Sequence, residues 1–268
     1  MIIGVIGGGV IGEAIARSLA SSGYDVVVSE KRAGRVRELK DMGLNVIMDN
    51  RAAVKQADIA ILCVKPKDVE NVLSEVYEEV RGKILISVAA AVPISFLKKL
   101  APHAKIVRAM PNLAIIVRES FTAYSVDAEI SQEDLKVVVE ILSAFGRAER
   151  VEETYMDAIT ALSGCAPAYV ALIAEAMMYA GLGVGLERDL ALRIAAQAMI
   201  GTGKLILEGG KAPHQICAMV TTPGGVTIEG LFELEGFPIR HAFMKAIKAA
   251  AEKSRKISSL FTGEQAKT

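Results

Sequence analysis

Cysteine is scarce. Cys63, Cys165 and Cys217 lie far apart with no C-x-x-C pair, which excludes a disulfide framework and a zinc knuckle and fits a reducing cytosol. The three histidines, His103, His214 and His241, are remote from one another, so no metal centre is expected and each takes a surface or structural role. Net charge is absent too: 31 basic and 31 acidic side chains cancel, and a chain without a broad positive field is a poor partner for DNA or RNA. The opening MIIGVIGGGVIG has no basic n-region; no export signal is expected, and the mature chain is expected to start there. The uncharged stretch 158–174 is interrupted by Gly164 and Pro167 and falls short of the ~20 residues of a spanning helix. It is read as a helix buried in a core or subunit interface, with no membrane partner.

What the 268 residues do contain is apolar mass: 52% hydrophobic and 23% charged, at a mean hydropathy of +0.37. That excludes disorder and supplies core for one large domain or two modest ones. Up to about residue 151, short apolar runs alternate with amphipathic ones, the pattern of strands feeding helices in a parallel sheet. Strands are expected at 2–6, 26–28, 44–48, 59–64, 84–88, 106–109 and 121–126. Between them run helix stripes on Ile11, Ile15 and Leu19, on Val36, Leu39 and Met42, on Val69, Val72, Leu73 and Val76 behind Asp68, and on Leu135, Val138, Val139 and Leu142. Gly23 and Gly43 stand where left-handed helix stops belong.

From there the chain is helical in character. The expected fold is therefore α/β: an N-terminal Rossmann-type, doubly wound, mostly parallel sheet over residues 1–152, followed by an all-α domain over 153–268. A helix over 167–180, apolar on most sides, has to be buried, and so small a domain could hardly hide it alone; a homodimer is expected.

Gly7-Gly8-Gly9-Val10-Ile11-Gly12 matches G-x-G-x-x-G between a predicted strand and a predicted helix. Gly7 permits the tight turn, Gly9 lets the backbone approach a pyrophosphate, and Gly12 allows close helix–strand packing, while the helix N-terminus offers free N–H groups to the anion. A glycine turn used only for packing is the alternative. Glu30, 18 positions after Gly12, stands where an acid accepts from a ribose 2′-hydroxyl and favours NAD. Lys31 and Arg32 follow at once and could instead neutralise the 2′-phosphate of NADP; a solvated run of charges is the third reading.

No nucleophile elbow is present, and Cys165, in its apolar run, reads as a buried, inert thiol. Thr221-Thr222-Pro223-Gly224-Gly225-Val226-Thr227 is unusual in a helical region. Its glycines expose backbone N–H groups, and the Thr222 and Thr227 hydroxyls can donate to a substrate or cap a helix starting near Val226. That makes an anion cradle, fit for a carboxylate; a plain helix–loop–helix corner is the competing reading.

Together these residues resemble the pyrroline-5-carboxylate reductase family over nearly the whole chain. The resemblance rests on Ile6-Gly7-Gly8-Gly9, Val64-Lys65-Pro66, Ser87-Val88-Ala89-Ala90, Met110-Pro111-Asn112, DAITALSGCAPAY from Asp157, GLERDLALRIAAQ from Gly185 and, above all, TPGGVTIEG from Thr222. It implies a Rossmann domain joined to a helical dimerisation domain, with the active site between the first domain of one subunit and the helical domain of its partner; a homodimer or a ring of dimers, in the cytoplasm, is the expected assembly. The implied activity reduces the C=N bond of 1-pyrroline-5-carboxylate to L-proline with NADP or NAD as cofactor. Thr227 would then hydrogen-bond the ring nitrogen as the catalytic residue, and Thr222, Gly224, Gly225 and Val226 would hold the substrate carboxylate. Ser29 and Asn50 would neighbour the adenosine end, and Val64, Lys65, Pro66, Ala89, Ala90 and Asn112 would line the cofactor cleft.

No dedicated acid is needed for a protonated or hydrogen-bonded imine, whereas hydroxyacid dehydrogenases use a lysine or histidine; Lys204 reads as solvated. The chain departs from the family pattern at Val10, Cys165-Ala166, Leu113-Ala114 and Cys217-Ala218, which bears on substrate range. The competing functions are reduction of another small cyclic imine or hydroxyacid, a non-catalytic NAD(P)H-binding sensor, and a purely structural oligomer.

Overall fold

The computed structural model describes residues 1–263. The chain forms two compact units, one of Met1–Pro167 joined by the residues from Ile247 on, the other Ala168–Ala246.

In the first unit, eight strands form one sheet: β1 (Ile2–Ile6), β2 (Asp25–Ser29), β3 (Asn45–Ile47), β4 (Ile59–Leu62), β5 (Ile84–Ser87), β6 (Lys105–Met110), β7 (Ser120–Val126) and β8 (Gly146–Arg150), in the order β3-β2-β1-β4-β5-β6-β7-β8. The first six are parallel, β7 runs antiparallel to β6, and β8 pairs parallel with β7. Unbroken apolar runs such as IAIL in β4 are buried along their whole length, because helices cover both faces of a doubly wound sheet. The period of two sorts them: Ile59 and Ile61 enter one core cluster with Ile15, Leu19, Leu39 and Leu142, while Ala60 and Leu62 enter the other with Val54, Leu73 and Leu97. The first face is covered by α1 (Val10–Ser21), α2 (Ala33–Asp41) and α6 (Gln132–Ser143), the second by α3 (Asn50–Gln56), α4 (Val69–Glu75) and α5 (Ile94–Leu100).

Three elements are new relative to the sequence reading. α3 and α5 have seven residues each, too short for a repeating apolar stripe, and β8 (GRAER) is a polar edge strand with few buried positions. Met42 does not belong to the α2 stripe: the helix ends at Asp41, Met42 is 47% exposed, and Gly43 turns the chain with φ +83°. Asp68 closes a 3₁₀ turn, Pro66–Asp68, and offers α4 no side-chain cap.

Beyond the sheet, α7 (Met156–Ile159) runs into a π-helical turn, Thr160–Gly164, and then α8 (Ala166–Gly183). Gly164 thus falls in a break of regular α-helix, with Cys165 a bend before α8 begins, whereas Pro167 causes no break. Pro167 sits in the first turn of α8, where a missing N–H costs nothing, and the π turn absorbs the irregularity at Gly164. The stretches Glu153–Gly183 and Arg188–Leu207 are long and apolar enough to cross a membrane by length and composition alone.

The first unit contains a polar knot. Arg108 on β6, with its side chain only 6% exposed, donates from Nη1 to Glu153 Oε1 at 2.9 Å, and the Ile94 amide donates to the same oxygen at 2.7 Å. Asp157 Oδ1 lies 4.0 Å from Arg108 Nη2 and accepts from Ser254 and Ser258 at 2.6 and 2.9 Å. Both serines lie on α12 (Ile239–Thr262), so the knot fastens the C-terminal helix to the sheet. Glu153→Ala leaves a buried guanidinium with one distant partner and an uncapped α5. The expected loss is about 2 kcal/mol, below the full cost of a broken buried pair because Glu153 is one-third exposed. Urea unfolding followed by circular dichroism checks it; an unchanged midpoint would remove the knot from the account of stability.

The second unit holds most of α8, α9 (Arg188–Leu207), α10 (Pro213–Val220), α11 (Val226–Glu235) and the start of α12. Only Met178 of α8 and Ala191 and Ala195 of α9 are buried, and nothing in α10 or α11 is. The expectation of a buried helix over 167–180 is therefore not met within the single chain: Leu172 is 66% exposed and Tyr179 53%.

Candidate active-site loops

The sheet order reverses at β1, which pairs with both β2 and β4. Open α/β sheets bind ligands at the carboxyl ends of strands flanking such a point, and the glycine loop leaves β1 there. Gly7 has φ +101°, and a side chain on it would meet the Cys63 carbonyl oxygen at 2.7 Å. Gly12 faces the Gly7 carbonyl so closely that a Cβ would overlap it. Gly9, the N-cap residue of α1, has nothing within 4 Å of a Cβ position. No side chain caps α1, so the amides of its first turn, from Val10, Ile11 and Gly12, face outward as donors. Gly7 and Gly12 thus play the turn and packing parts that their spacing predicts, and the open position at Gly9 leaves room that fits a diphosphate.

Behind the loop stands a charged cluster. Glu30 is 6% exposed, so it is not part of a solvated charge run. Arg32 donates from Nε and Nη2 to its two oxygens at 3.0 and 2.9 Å, and from its amide to Oε1 at 2.9 Å. The Arg32 guanidinium, against the cost of burial, holds the Glu30 carboxyl below the usual carboxylate range. The two sides of the NAD versus NADP question are thereby bonded to each other, while Lys31 is exposed.

A carboxyl lowered on folding stabilises the native state above its unfolded value, 4.5, and this contribution is lost as pH falls through the lower folded value. Wild-type protein is expected to lose melting temperature more steeply than Glu30→Gln as pH falls below about 4.5. Parallel curves would show that the Arg32 pairing does not discriminate folded from unfolded chain.

Of the remaining expected cleft residues, the Ser29 hydroxyl at the end of β2 is buried with no hydrogen-bond partner among the described residues. Asn50 opens α3 and donates to Glu75 at 2.8 Å. Val64, Lys65 and Pro66 follow β4, with Lys65 exposed, and Ala89 and Ala90 follow β5. All of these lie at carboxyl ends of parallel strands. Asn112 is different, since its side chain is already engaged: Oδ1 accepts from the Ala114 amide at 3.0 Å, and Nδ2 donates to the Ser163 carbonyl and hydroxyl, both at 3.2 Å. It ties the turn after β6 to the π-helical turn, an irregularity common at functional sites. Gly164 lies against Met110 there, where a Cβ would come within 2.8 Å of the methionine methyl.

Cys165, just after the π turn, is half-buried, contrary to the buried thiol expected; Cys217 is exposed. Burial raises the Cys63 thiol pKa strongly, so it is inert. His103, His214, His241 and Lys204 are all exposed, and no metal-binding group of histidine, cysteine and carboxylates occurs among the described residues.

In the second unit, the threonine–glycine loop joins α10 to α11. The Gly225 amide donates to the Thr222 carbonyl at 3.0 Å, closing a turn through Gly224, whose φ is +66°. A side chain on Gly225 would overlap the Thr222 hydroxyl. Neither threonine caps α11, which corrects the capping alternative: Gly225 is the N-cap, Thr227 sits half-exposed in the first turn, and Thr221 instead donates back to Cys217 at 2.7 Å. The first-turn amides of α11 are left without a side-chain cap, in a loop that carries the Thr222 and Thr227 hydroxyls.

Sequence reasoning missed Glu13 and Arg35. The i,i+4 pair Glu13–Arg17, at 3.3 Å, was legible as a spacing; the approach of Arg35 to the glycine loop joins residues 27 apart and has no local signal.

The family model for pyrroline-5-carboxylate reductase dimerisation matches residues 153–257, and that for coenzyme F420-dependent NADP oxidoreductases matches residues 2–91. Pyrroline-5-carboxylate reductase of Methanosarcina acetivorans is 40% identical over 263 residues, covering 95% of this chain and 97% of the relative. That of Glycine max is 35% identical, with 96% of each covered. Among solved structures, pyrroline carboxylate reductase of Plasmodium falciparum with NADP bound superposes with a TM-score of 0.87 at 29% identity, over 97% of this chain and 98% of that one. With curated relatives at 35–40% identity aligned over nearly their whole length, the chain belongs to the pyrroline-5-carboxylate reductase family.

Proposed function

We propose that this protein reduces the C=N bond of 1-pyrroline-5-carboxylate to give L-proline, the imine carbon receiving a hydride and the ring nitrogen a proton from solvent. The observation that carries the reading is the presence, in one chain of the family, of both an open, uncapped glycine loop and an intact Thr222–Thr227 loop. We assign residues 1–152 to cofactor binding and 153–268 to dimerisation and substrate binding. The amides of Gly9, Val10, Ile11 and Gly12 would hold the diphosphate of NADPH or NADH, and the loops after β4, β5 and β6 would border the cofactor. When bound, the nicotinamide supplies the hydride. The amides of Gly224 and Val226, with the Thr222 hydroxyl, fix the substrate carboxylate, Gly225 shapes the turn through its own amide on the Thr222 carbonyl, and the Thr227 hydroxyl hydrogen-bonds the ring nitrogen. That bond draws electron density from the imine carbon and orients the ring, so positioning supplies most of the catalysis.

The enzyme would work as a homodimer, in the cytosol that its three unpaired cysteines fit. Support for the dimer comes from the bare apolar faces of the second unit: Leu172, Leu207, Phe232 and Phe237 are each at least 66% exposed, more apolar surface than a monomer leaves in water. Purified protein with pyrroline-5-carboxylate should oxidise NADPH or NADH and yield one proline per cofactor, at a solution mass of about twice 28.5 kDa. Cofactor binding without turnover would favour another imine or a sensor, and a monomeric mass in dilute solution would overturn the dimer.

A further inference from the structure

Arg35, in the first turn of α2, is the most fully engaged guanidinium around the glycine loop. Its side chain is 18% exposed and has three partners on three segments. Nε donates to the Gly8 carbonyl at 2.8 Å, Nη1 donates to Glu38 at 2.7 Å, and Nη2 pairs with Glu13 in the first turn of α1. Gly8 has room for no side chain: a Cβ would run into Leu39 and lie 3.2 Å from Glu30 Cβ. The peptide in the middle of the loop is therefore clamped from the β2–α2 side. Glu13 adds a second demand. A carboxylate in the first turn of α1 favours the empty helix dipole but opposes a diphosphate on the same amides, and Arg35 is the less exposed of its two cationic partners, Arg17 being 60% exposed.

We propose that Arg35 is a positioning residue for the dinucleotide, fixing the Gly8 peptide and neutralising Glu13 so that the first-turn amides of α1 can accept a diphosphate. The proposal rests on the reading of the glycine loop as the cofactor site. Arg35 acts through the loop and Glu13, so its effect belongs to the diphosphate, which NADPH and NADH share, and not to the 2′-phosphate that distinguishes them.

The test is a fluorescence titration of purified full-length protein with NADPH and with NADH, alongside steady-state reduction of pyrroline-5-carboxylate. Arg35→Met is expected to raise Kd and KM for both cofactors about tenfold, the scale of one lost charge-assisted hydrogen bond. The NADPH-to-NADH preference should stay as in wild type, and the loss should fall on KM rather than kcat. Arg35→Lys should recover part of the loss through a donor and a charge. Should Arg35→Met fail to fold, Arg35→Gln, which keeps a donor for Gly8 without the charge, is read the same way through Glu13. Wild-type affinity for both cofactors in the variant would overturn the proposal while leaving the cofactor site standing; so would a loss confined to NADPH, which would mean direct contact with the 2′-phosphate. Failure of the wild-type protein to bind either cofactor would overturn the reading of the loop and the proposal with it.

Discussion

Gly9→Ala is expected to lose dinucleotide affinity by roughly 100-fold, about 2.7 kcal/mol, while melting at the wild-type temperature. Gly12→Ala is expected to lose stability as well as affinity. The contrast follows from where each Cβ would go. Gly9 already has φ −67°, ψ −171°, a conformation any residue adopts, and its Cβ would point into open space. The empty fold therefore tolerates alanine, and only a diphosphate seated on the loop would collide with it. At Gly12, inside α1, alanine should be the better helix former by up to about 1 kcal/mol. That gain is overridden because its Cβ would overlap the Gly7 carbonyl and press the Cys63 side chain at 3.3 Å. Backbone is the obstacle, so the helix must move away from the sheet, and overpacking of this kind costs about 1–3 kcal/mol or more. Calorimetry and cofactor titration on both variants separate the effects. A Gly9→Ala protein that binds NADPH and NADH normally would show that no cofactor approaches this loop.

Thr227→Ala should reduce kcat by about 100-fold, the scale on which a single hydrogen bond to the reacting group acts, with the affinity for NADPH retained. The fold has no reason to suffer. Thr227 sits half-exposed in the first turn of α11 without capping it, and alanine has the higher helix propensity. The loop geometry is held instead by the Gly225 amide on the Thr222 carbonyl, which the substitution leaves alone. Thr227→Ser should restore most of the rate, since it returns the hydroxyl and omits only the methyl. Full activity in the alanine variant would remove Thr227 from the reaction.

Much of this was legible in residue order. Buried strands such as β1 and β4 announce themselves as short unbroken apolar runs, and α1 and α6 as stripes at helical spacing, because burial on one or two faces imposes a period that local sequence must carry. The glycine loop was equally plain: its spacing encodes backbone constraints that act within six residues. What residue order did not yield has little periodic burial or joins distant residues. α3 and α5 are too short to show a stripe, and β8 is a polar edge paired only with β7. The π turn has no local mark in the sequence, and the bonds from Asn112 to Ser163 join residues 51 positions apart.

The charged residues around the loop draw the same line. Sequence alone determined that Glu30, Lys31 and Arg32 follow β2, at the carboxyl end of a parallel strand. Only the tertiary structure decided that Glu30 is buried and bonded to Arg32, that Lys31 is left exposed, and that Arg35 reaches Gly8 and Glu13. The physical reason is range. Strand, helix and glycine-turn preferences are set by neighbours along the chain, whereas the partner of a charged side chain is chosen by whatever the fold brings within about 3 Å of it.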